Sequence, residues 1–222
     1  AGFQYWVQNF RPRALAAGIS PQVFDSTMAT AHFQPSLIAL DRKQSEFTKP
    51  IWDYLDGAIG SRAATGRSKA AQYAGTLAAI ESRFGVPREV VLAVWGMESN
   101  FGTGRGSTPI VPALATLAYD GRRGEFFAGE LVAALRIIQS GDVDSAHMVG
   151  SWAGAMGHTQ FMPSSFLSHA VDFNGDGRRD IWSDDPTDAL GSTANYLAKS
   201  GWQPGLPAAV EVTLPAGFKA VG

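Results

Sequence analysis

Along most of this chain apolar residues recur every three to four positions, the period of a helix with one face turned inward. Tyr73, Leu77, Ile80 and Phe84 fall at i, i+4, i+7 and i+11, which predicts a helix over 69–84. Gly85 follows where a left-handed C-terminal residue is wanted. The next helix opens at Val86-Pro87 and carries Val91, Val94, Trp95 and Glu98 on one face. So short a connection makes the two helices packed neighbours. Further on, the pattern predicts a short helix over Pro112–Tyr119 and a turn at Asp120–Gly124. A long helix with Phe127, Leu131, Leu135 and Ile138 inward comes next, then another over Thr187–Lys199 with Leu190, Ala194 and Leu197 inward.

Before residue 65 the helical pattern is broken. Ser20-Pro21 reads as an N-cap with proline at the first helical position, and Ile51, Tyr54, Leu55 and Ile59 mark an amphipathic helix ending near Gly60. Phe33–Thr48 is mixed in period and reads as loop or short extended structure. Near the other end Val210-Glu211-Val212-Thr213-Leu214 alternates with period two, which predicts a strand. The fold class is therefore mainly α with a small C-terminal β element. The expected division is an N-terminal helical region over 1–68, a core over 69–203 and the start of a β region over 204–222.

Within this pattern Glu98 stands out, because a carboxylate ends a stripe that is otherwise apolar. Partial burial and the negative end of the helix dipole both disfavour its ionised form. A carboxylic acid still protonated near neutral pH can give its proton to a leaving group. The competing reading is an ordinary solvated residue at a helix end. Gly150–Gly157 is poor in bulky polar side chains and lets a backbone approach a ligand or another helix closely. Gln160-Phe161 follows, and an amide beside an aromatic ring suits a sugar, although a packing corner with the amide satisfied internally fits as well.

Asp172-Phe173-Asn174-Gly175-Asp176-Gly177-Arg178 places oxygen side chains at positions 1, 3 and 5, glycine at 6 and a backbone carbonyl at 7. That is the first half of an EF-hand calcium loop. Position 12 is Ser183 where a bidentate Glu is expected, so Asp180, Asp184, Asp185 or Asp188 has to close the cage. Gly102-Thr103-Gly104-Arg105-Gly106 lacks both the spacing and the strand–helix setting of a dinucleotide fingerprint, and reads as a flexible loop. The Arg122-Arg123 pair reads as a solvated turn or an anion contact.

Composition removes other classes. A net charge of -2 over 222 residues offers no basic face for nucleic acid. No apolar run approaches the roughly eighteen residues of a membrane helix. With no cysteine there is no disulfide framework or thiolate metal site. The four histidines lack i, i+4 metal spacing, and no G-x-S-x-G elbow appears.

W-G-M-E-S-N-F-G, R-R-G-E-F-F at 122–127, S-W-A-G-A-M-G-H-T-Q-F-M-P-S-S at 151–165 and D-F-N-G-D-G-R-R-D-I-W at 172–182 occur in one order. Together they resemble the lytic murein transglycosylase B family of Gram-negative bacteria. The resemblance implies a lysozyme-like helical core with an added helical domain and a small β domain. It also implies cleavage of the MurNAc-β-1,4-GlcNAc bond of peptidoglycan, leaving 1,6-anhydromuramoyl ends. By the same resemblance the catalytic acid is Glu98, and the glycan contacts are Tyr54, Ser151, Gln160, Phe161 and Tyr196. The ligands of a structural calcium ion are Asp172, Asn174, Asp176, the carbonyl of Arg178 and Asp188. Peptidoglycan strands are the expected partner, with cell-wall synthesis proteins as further ones, and a monomer in the periplasm, outer-membrane associated in a full-length form, is the expected state. Members of the family continue past L-P-A-G-F-K with further active-site tyrosines, so part of the groove is expected beyond Gly222.

Ordinary glycosidases use two carboxylates. Only Glu98 has a convincing setting here, since Asp120 and Glu125 lie by a charged turn. One carboxylate suffices if the C6 hydroxyl of the sugar attacks its own C1. Two alternatives are a hydrolytic muramidase with a second carboxylate, and a calcium-stabilised peptidoglycan-binding module without activity. A calcium sensor is disfavoured because only one loop is present.

Overall fold

Ile110–Ala118 is a run of nine buried residues in a single helix, apolar on every side, and the other elements gather around it. The computed structural model describes residues 2–43, 51–206 and 210–218, without the side chains at 51, 52 and 54. Its first helices are α1 (Gly2–Ala16), α2 (Pro21–Met28), α3 (Pro35–Arg42) and α4 (Ile51–Ile59). They are followed by α5 (Arg62–Gln72), α6 (Ala74–Phe84), α7 (Arg88–Ser99), α8 (Ile110–Asp120) and α9 (Gly124–Ser140). The last two are α10 (Pro163–His169) and α11 (Thr187–Lys199). Among the described residues the only ladder is a short antiparallel pair, β1 (Thr108–Pro109) with β2 (Val149–Gly150).

Two apolar clusters result. In the larger one Phe3, Phe10, Phe24 and Leu37 of α1–α3 pack with Leu114 and Leu117 of α8, Leu131 and Leu135 of α9, and Phe166 of α10. In the smaller one Leu77, Ile80, Val91 and Trp95 pack with Leu190 and Ala194 of α11. Helix α7 thus reaches its end wedged between α5, α6 and α11. The expected division at residue 68 falls inside α5.

Several expectations need correction. Phe33–Thr48 contains a helix, α3, begun by Pro35 at its first turn. Its period is hidden because its two inward residues are Leu37 and the charged Asp41; residues 44–48 lie outside the described chain. The helix read over 69–84 is broken at Tyr73, which caps both α5 and α6. No residue of α5 is fully buried, so no stripe marks it. The strand at Val210–Leu214 does not form: Val210, Val212 and Leu214 are exposed and unpaired. Alternation makes a strand only when a neighbouring backbone takes its N–H and C=O groups, and no described residue does so.

Arg122 and Arg123 are not a solvated turn. Arg122 Nε lies 2.7 Å from one oxygen of the buried Asp41 carboxylate, and Arg123 donates to the other at 2.9 Å. This clamp ties α3 to the turn between α8 and α9. Replacing Asp41 with Asn should lower unfolding stability in urea by about 1.5–3 kcal/mol, the range for hydrogen bonds to charged groups. Both guanidinium groups are partly exposed, so water will recover some of that loss.

Candidate functional site

Three elements meet in a cleft of about 330 Å³. Helix α7 contributes Val94 and Glu98, one turn apart at its C-terminal end. The turn before α10 contributes Thr159 to Met162, and α11 contributes Thr193, Tyr196 and Leu197, which share a face at i, i+3 and i+4. Ser165 completes the lining. Glu98 is the only carboxylate among these residues.

Glu98 is not buried with the apolar stripe; it stands exposed on the cleft side of α7. It has no hydrogen bond or ion pair among the described residues. Loss of water to the surrounding walls raises its pKa above the ordinary value of 4.5, and no neighbouring charge contributes. The helix stops just beyond it because Asn100 turns left-handed at φ 49° and Phe101 follows at φ 57°. Backbone held in this region by ordinary residues costs on the order of 1–3 kcal/mol each and persists only where neighbours over-determine it.

Gln160 lines the same cleft as Glu98 and is the third such residue, at φ 55°. Its amide nitrogen donates to the carbonyls of Gly157 at 2.8 Å and Arg105 at 3.1 Å. Two acceptors fix which end is the NH₂, so Oε1 is left with no donor among the described residues. The amide is therefore satisfied internally on one side and offers an acceptor on the other. Phe161 is nearly buried and meets the half-open Tyr196 ring edge-on, with centroids 6.0 Å apart. His169 supports Tyr196 at 4.7 Å.

The remaining glycan candidates are placed differently. Ser151 is not among the cleft-lining residues; its hydroxyl accepts the Ala155 N–H at 3.0 Å, inside a turn. Tyr54 lies on α4, and its side chain falls outside the described part of the structure. Thr159, Met162, Ser165 and Thr193 went unnoticed in the sequence. Thr193 was legible, one turn before Tyr196 and Leu197. Thr159 was not, since its place depends on the fold of the turn. Asp120 and Glu125 lie elsewhere, paired with Arg42 and Arg13.

The loop at 172–188 gathers carboxylates. One oxygen from each of Asp172, Asp176 and Asp188 lies within 4.8 Å of the others. Asp172 accepts the N–H groups of Gly175, Asp176 and Gly177, which curls the loop; Asn174 and Asp176 cap the residues that follow them. Asp188 is buried and accepts N–H groups from Phe173, Asn174 and Asp180. Burial raises its pKa, the three donors oppose that, and Asp172 adds to the rise. The rival closing residues are otherwise engaged: Asp180 caps Trp182 and Ser183, Asp184 pairs with Arg105, and Asp185 caps Thr187. No arginine or lysine pairs with the three clustered carboxylates among the described residues. An all-oxygen set with unbalanced negative charge fits a hard divalent cation.

The family model described as a transglycosylase SLT domain matches residues 2–222. Membrane-bound lytic murein transglycosylase B of Escherichia coli is 45% identical over 142 residues, spanning 61% of this chain and 39% of the relative. SltB3 of Pseudomonas aeruginosa, solved in complex with NAG-NAM-pentapeptide and with NAG-anhNAM-pentapeptide, superposes with a TM-score of 0.92 at 51% identity. That match covers 97% of this chain and 58% of SltB3. The lytic transglycosylase Slt35 of Escherichia coli, solved in complex with calcium, gives a TM-score of 0.80 at 35% identity over 90% of this chain and 64% of its own. The chain thus spans between about two fifths and two thirds of the lengths of these relatives. Its mainly helical, lysozyme-like fold is the one they share.

Proposed function

The chain belongs to the family of transglycosylase SLT domains, and from that premise we propose that it cleaves the MurNAc-β-1,4-GlcNAc bond of peptidoglycan as a lytic transglycosylase. The observation carrying this reading is the single carboxylate in the cleft, Glu98, set opposite an amide and two aromatic rings. Hydrolysis by the usual routes needs a second carboxylate on the far side of the sugar, and none of the described lining residues supplies one.

Glu98, whose acid form is favoured by the loss of water around it, gives its proton to the glycosidic oxygen. The leaving sugar departs, and the N-acetyl group shields the cationic C1. Glu98, now a carboxylate, takes the proton of the C6 hydroxyl as that oxygen attacks C1, closing the 1,6-anhydro ring. The nucleophile is held on the same sugar, and such intramolecular positioning can remove up to about 7–11 kcal/mol of barrier. Gln160 accepts a hydrogen bond from the glycan through its free oxygen. Tyr196 and Phe161 give apolar contact to a sugar face.

Calcium, when bound to Asp172, Asn174, Asp176, the Arg178 carbonyl and Asp188, braces the loop beside α11 and does no chemistry. The protein works on the cell envelope, in the periplasm, where its polymeric substrate lies. No helix among the described residues is long and apolar enough to cross a membrane.

Digestion of purified sacculi followed by mass spectrometry tests the reaction. Released muropeptides should be one water lighter than those made by a hydrolase. Products of full hydrolytic mass would make the protein a muramidase, and binding without release would make it a glycan-binding module.

A further inference from the structure

His158 is buried between the end of α7 and the 181–183 segment, behind the cleft and not among its lining residues. On one side it meets the end of α7. Trp95 Nε1 donates to His158 Nδ1 at 3.1 Å, and the hydroxyl of Ser99, the residue after Glu98, donates to the His158 carbonyl. The same hydroxyl accepts the Gly102 N–H at 2.9 Å. The imidazole packs directly against Gly102: a Cβ there would come within 2.4 Å of His158 Nδ1, at a φ of +85° that side chains rarely adopt. On the other side the backbone N–H of His158 donates to Ile181 O at 3.1 Å, and its Nε2 donates to Ser183 O at 2.7 Å. Arg105 donates to that same carbonyl, so the guanidinium and the imidazole converge on one oxygen. Ser183 in turn is held by the Asp180 carboxylate.

The tautomer follows from the partners. An indole N–H can only donate, so Nδ1 is unprotonated and Nε2 carries the hydrogen. Burial, with Arg105 alongside, lowers the pKa of the ring. Two residues further along the chain is Gln160, whose amide holds Arg105 O and so belongs to the same unit.

We propose that His158 is a positioning residue: it locks the C-terminal turn of α7 to the turn bearing Gln160, and so fixes where the Glu98 carboxyl sits across the cleft. The inference rests on the proposed transglycosylase reading for its consequence in turnover, but not for the lock itself. Two consecutive left-handed residues, Asn100 and Phe101, follow Glu98; a helix end in that conformation needs such a lock. Without it the end relaxes, and a displacement of about 1 Å at a reacting group can cost 10²-fold in rate.

Four proteins test this: wild type, His158→Ala, His158→Gln (which keeps a donor for Ser183 O) and Ile137→Ala. Ile137 is buried on α9, away from the cleft, and serves as a control of matched destabilisation. On glycan strands, at a temperature where all four are folded, His158→Ala should lower kcat about 10–100-fold with KM nearly unchanged. His158→Gln should recover part of that loss, and Ile137→Ala should keep kcat. Hydrogen exchange gives a second reading that needs no turnover: the amides of Asn100, Phe101 and Gly104 should exchange faster in His158→Ala and not in Ile137→Ala. A raised KM with kcat intact, or equal loss of kcat in the control, overturns the assignment. So does unchanged exchange at the α7 end. Inert wild type with accelerated exchange in His158→Ala would instead remove the proposed reaction and leave the lock standing.

Discussion

Glu98→Gln should remove glycan cleavage and little else. Proton transfer by a positioned side chain contributes about 10²–10⁴-fold to rate, and here the same group serves both halves of the reaction, so the loss should reach the upper part of that range. The substitution keeps size and shape. Glu98 has no hydrogen-bond or ion-pair partner to orphan and is exposed, so unfolding stability should stay within about 0.5 kcal/mol, as for ordinary surface changes. Saccharide binding measured by calorimetry should persist. The pH profile offers an independent check. The first step needs the acid form, so kcat should fall as pH rises through the Glu98 pKa, which the cleft raises above 4.5. Glu98→Asp, one methylene shorter, should retain only a small residue of activity because the carboxyl no longer reaches the scissile oxygen. Undiminished turnover in Glu98→Gln would falsify the single-acid mechanism.

The second large effect is expected at Asp188. Its side chain is buried and holds three backbone N–H groups, from Phe173, Asn174 and Asp180, that close the acidic loop onto the start of α11. Asp188→Ala leaves those donors without a partner, at about 1–3 kcal/mol for each one that water cannot reach. Stability should fall by several kcal/mol, with a melting temperature lower by about 2–4 °C for each kcal/mol in a chain of this size. Metal removal addresses the same residue without mutation. A ligand at one hundred times its Kd stabilises by about 2.7 kcal/mol, so chelation should lower the melting temperature of the wild type and leave Asp188→Ala nearly unmoved.

The sign of the pH effect is opposite to that of a salt-bridged carboxylate. Because the folded pKa of Asp188 is raised, the part of its stability linked to protonation is, in metal-free protein, present below the unfolded value of about 3.9. That contribution is lost as pH rises through the folded value. Saturating calcium, which prefers the ionised form, should flatten that dependence. A melting temperature indifferent to both calcium and chelator would exclude a structural metal.

Local order could be read directly from residue pattern wherever a helix turns one apolar face to one neighbour. α6, α7, α9 and α11 were legible for that reason, because burial imposes the 3.6-residue period on their sequences. Glu98 was legible as a break in such a stripe, and the acidic loop as a fixed spacing of oxygen side chains. α8 was only partly legible, since a helix buried on all sides has no period to display. α3 was hidden because one of its two inward positions is Asp41, which reads as polar until Arg122 and Arg123 are seen to neutralise it.

Tertiary structure alone decided the rest. The run Val210–Leu214 has the alternation of a strand, but whether it becomes one depends on a partner backbone supplied from elsewhere. The closing carboxylate of the loop could not be chosen among four aspartates by spacing. Of the four, Asp188 is the one that is buried, lies beside Asp172 and Asp176 and gathers the loop's N–H groups. Glu98 meets Gln160 and Tyr196 because α7, the 157–161 turn and α11 converge from positions 62 and 98 residues apart along the chain. No local rule encodes a distance across such separations; it comes from how the two apolar clusters pack.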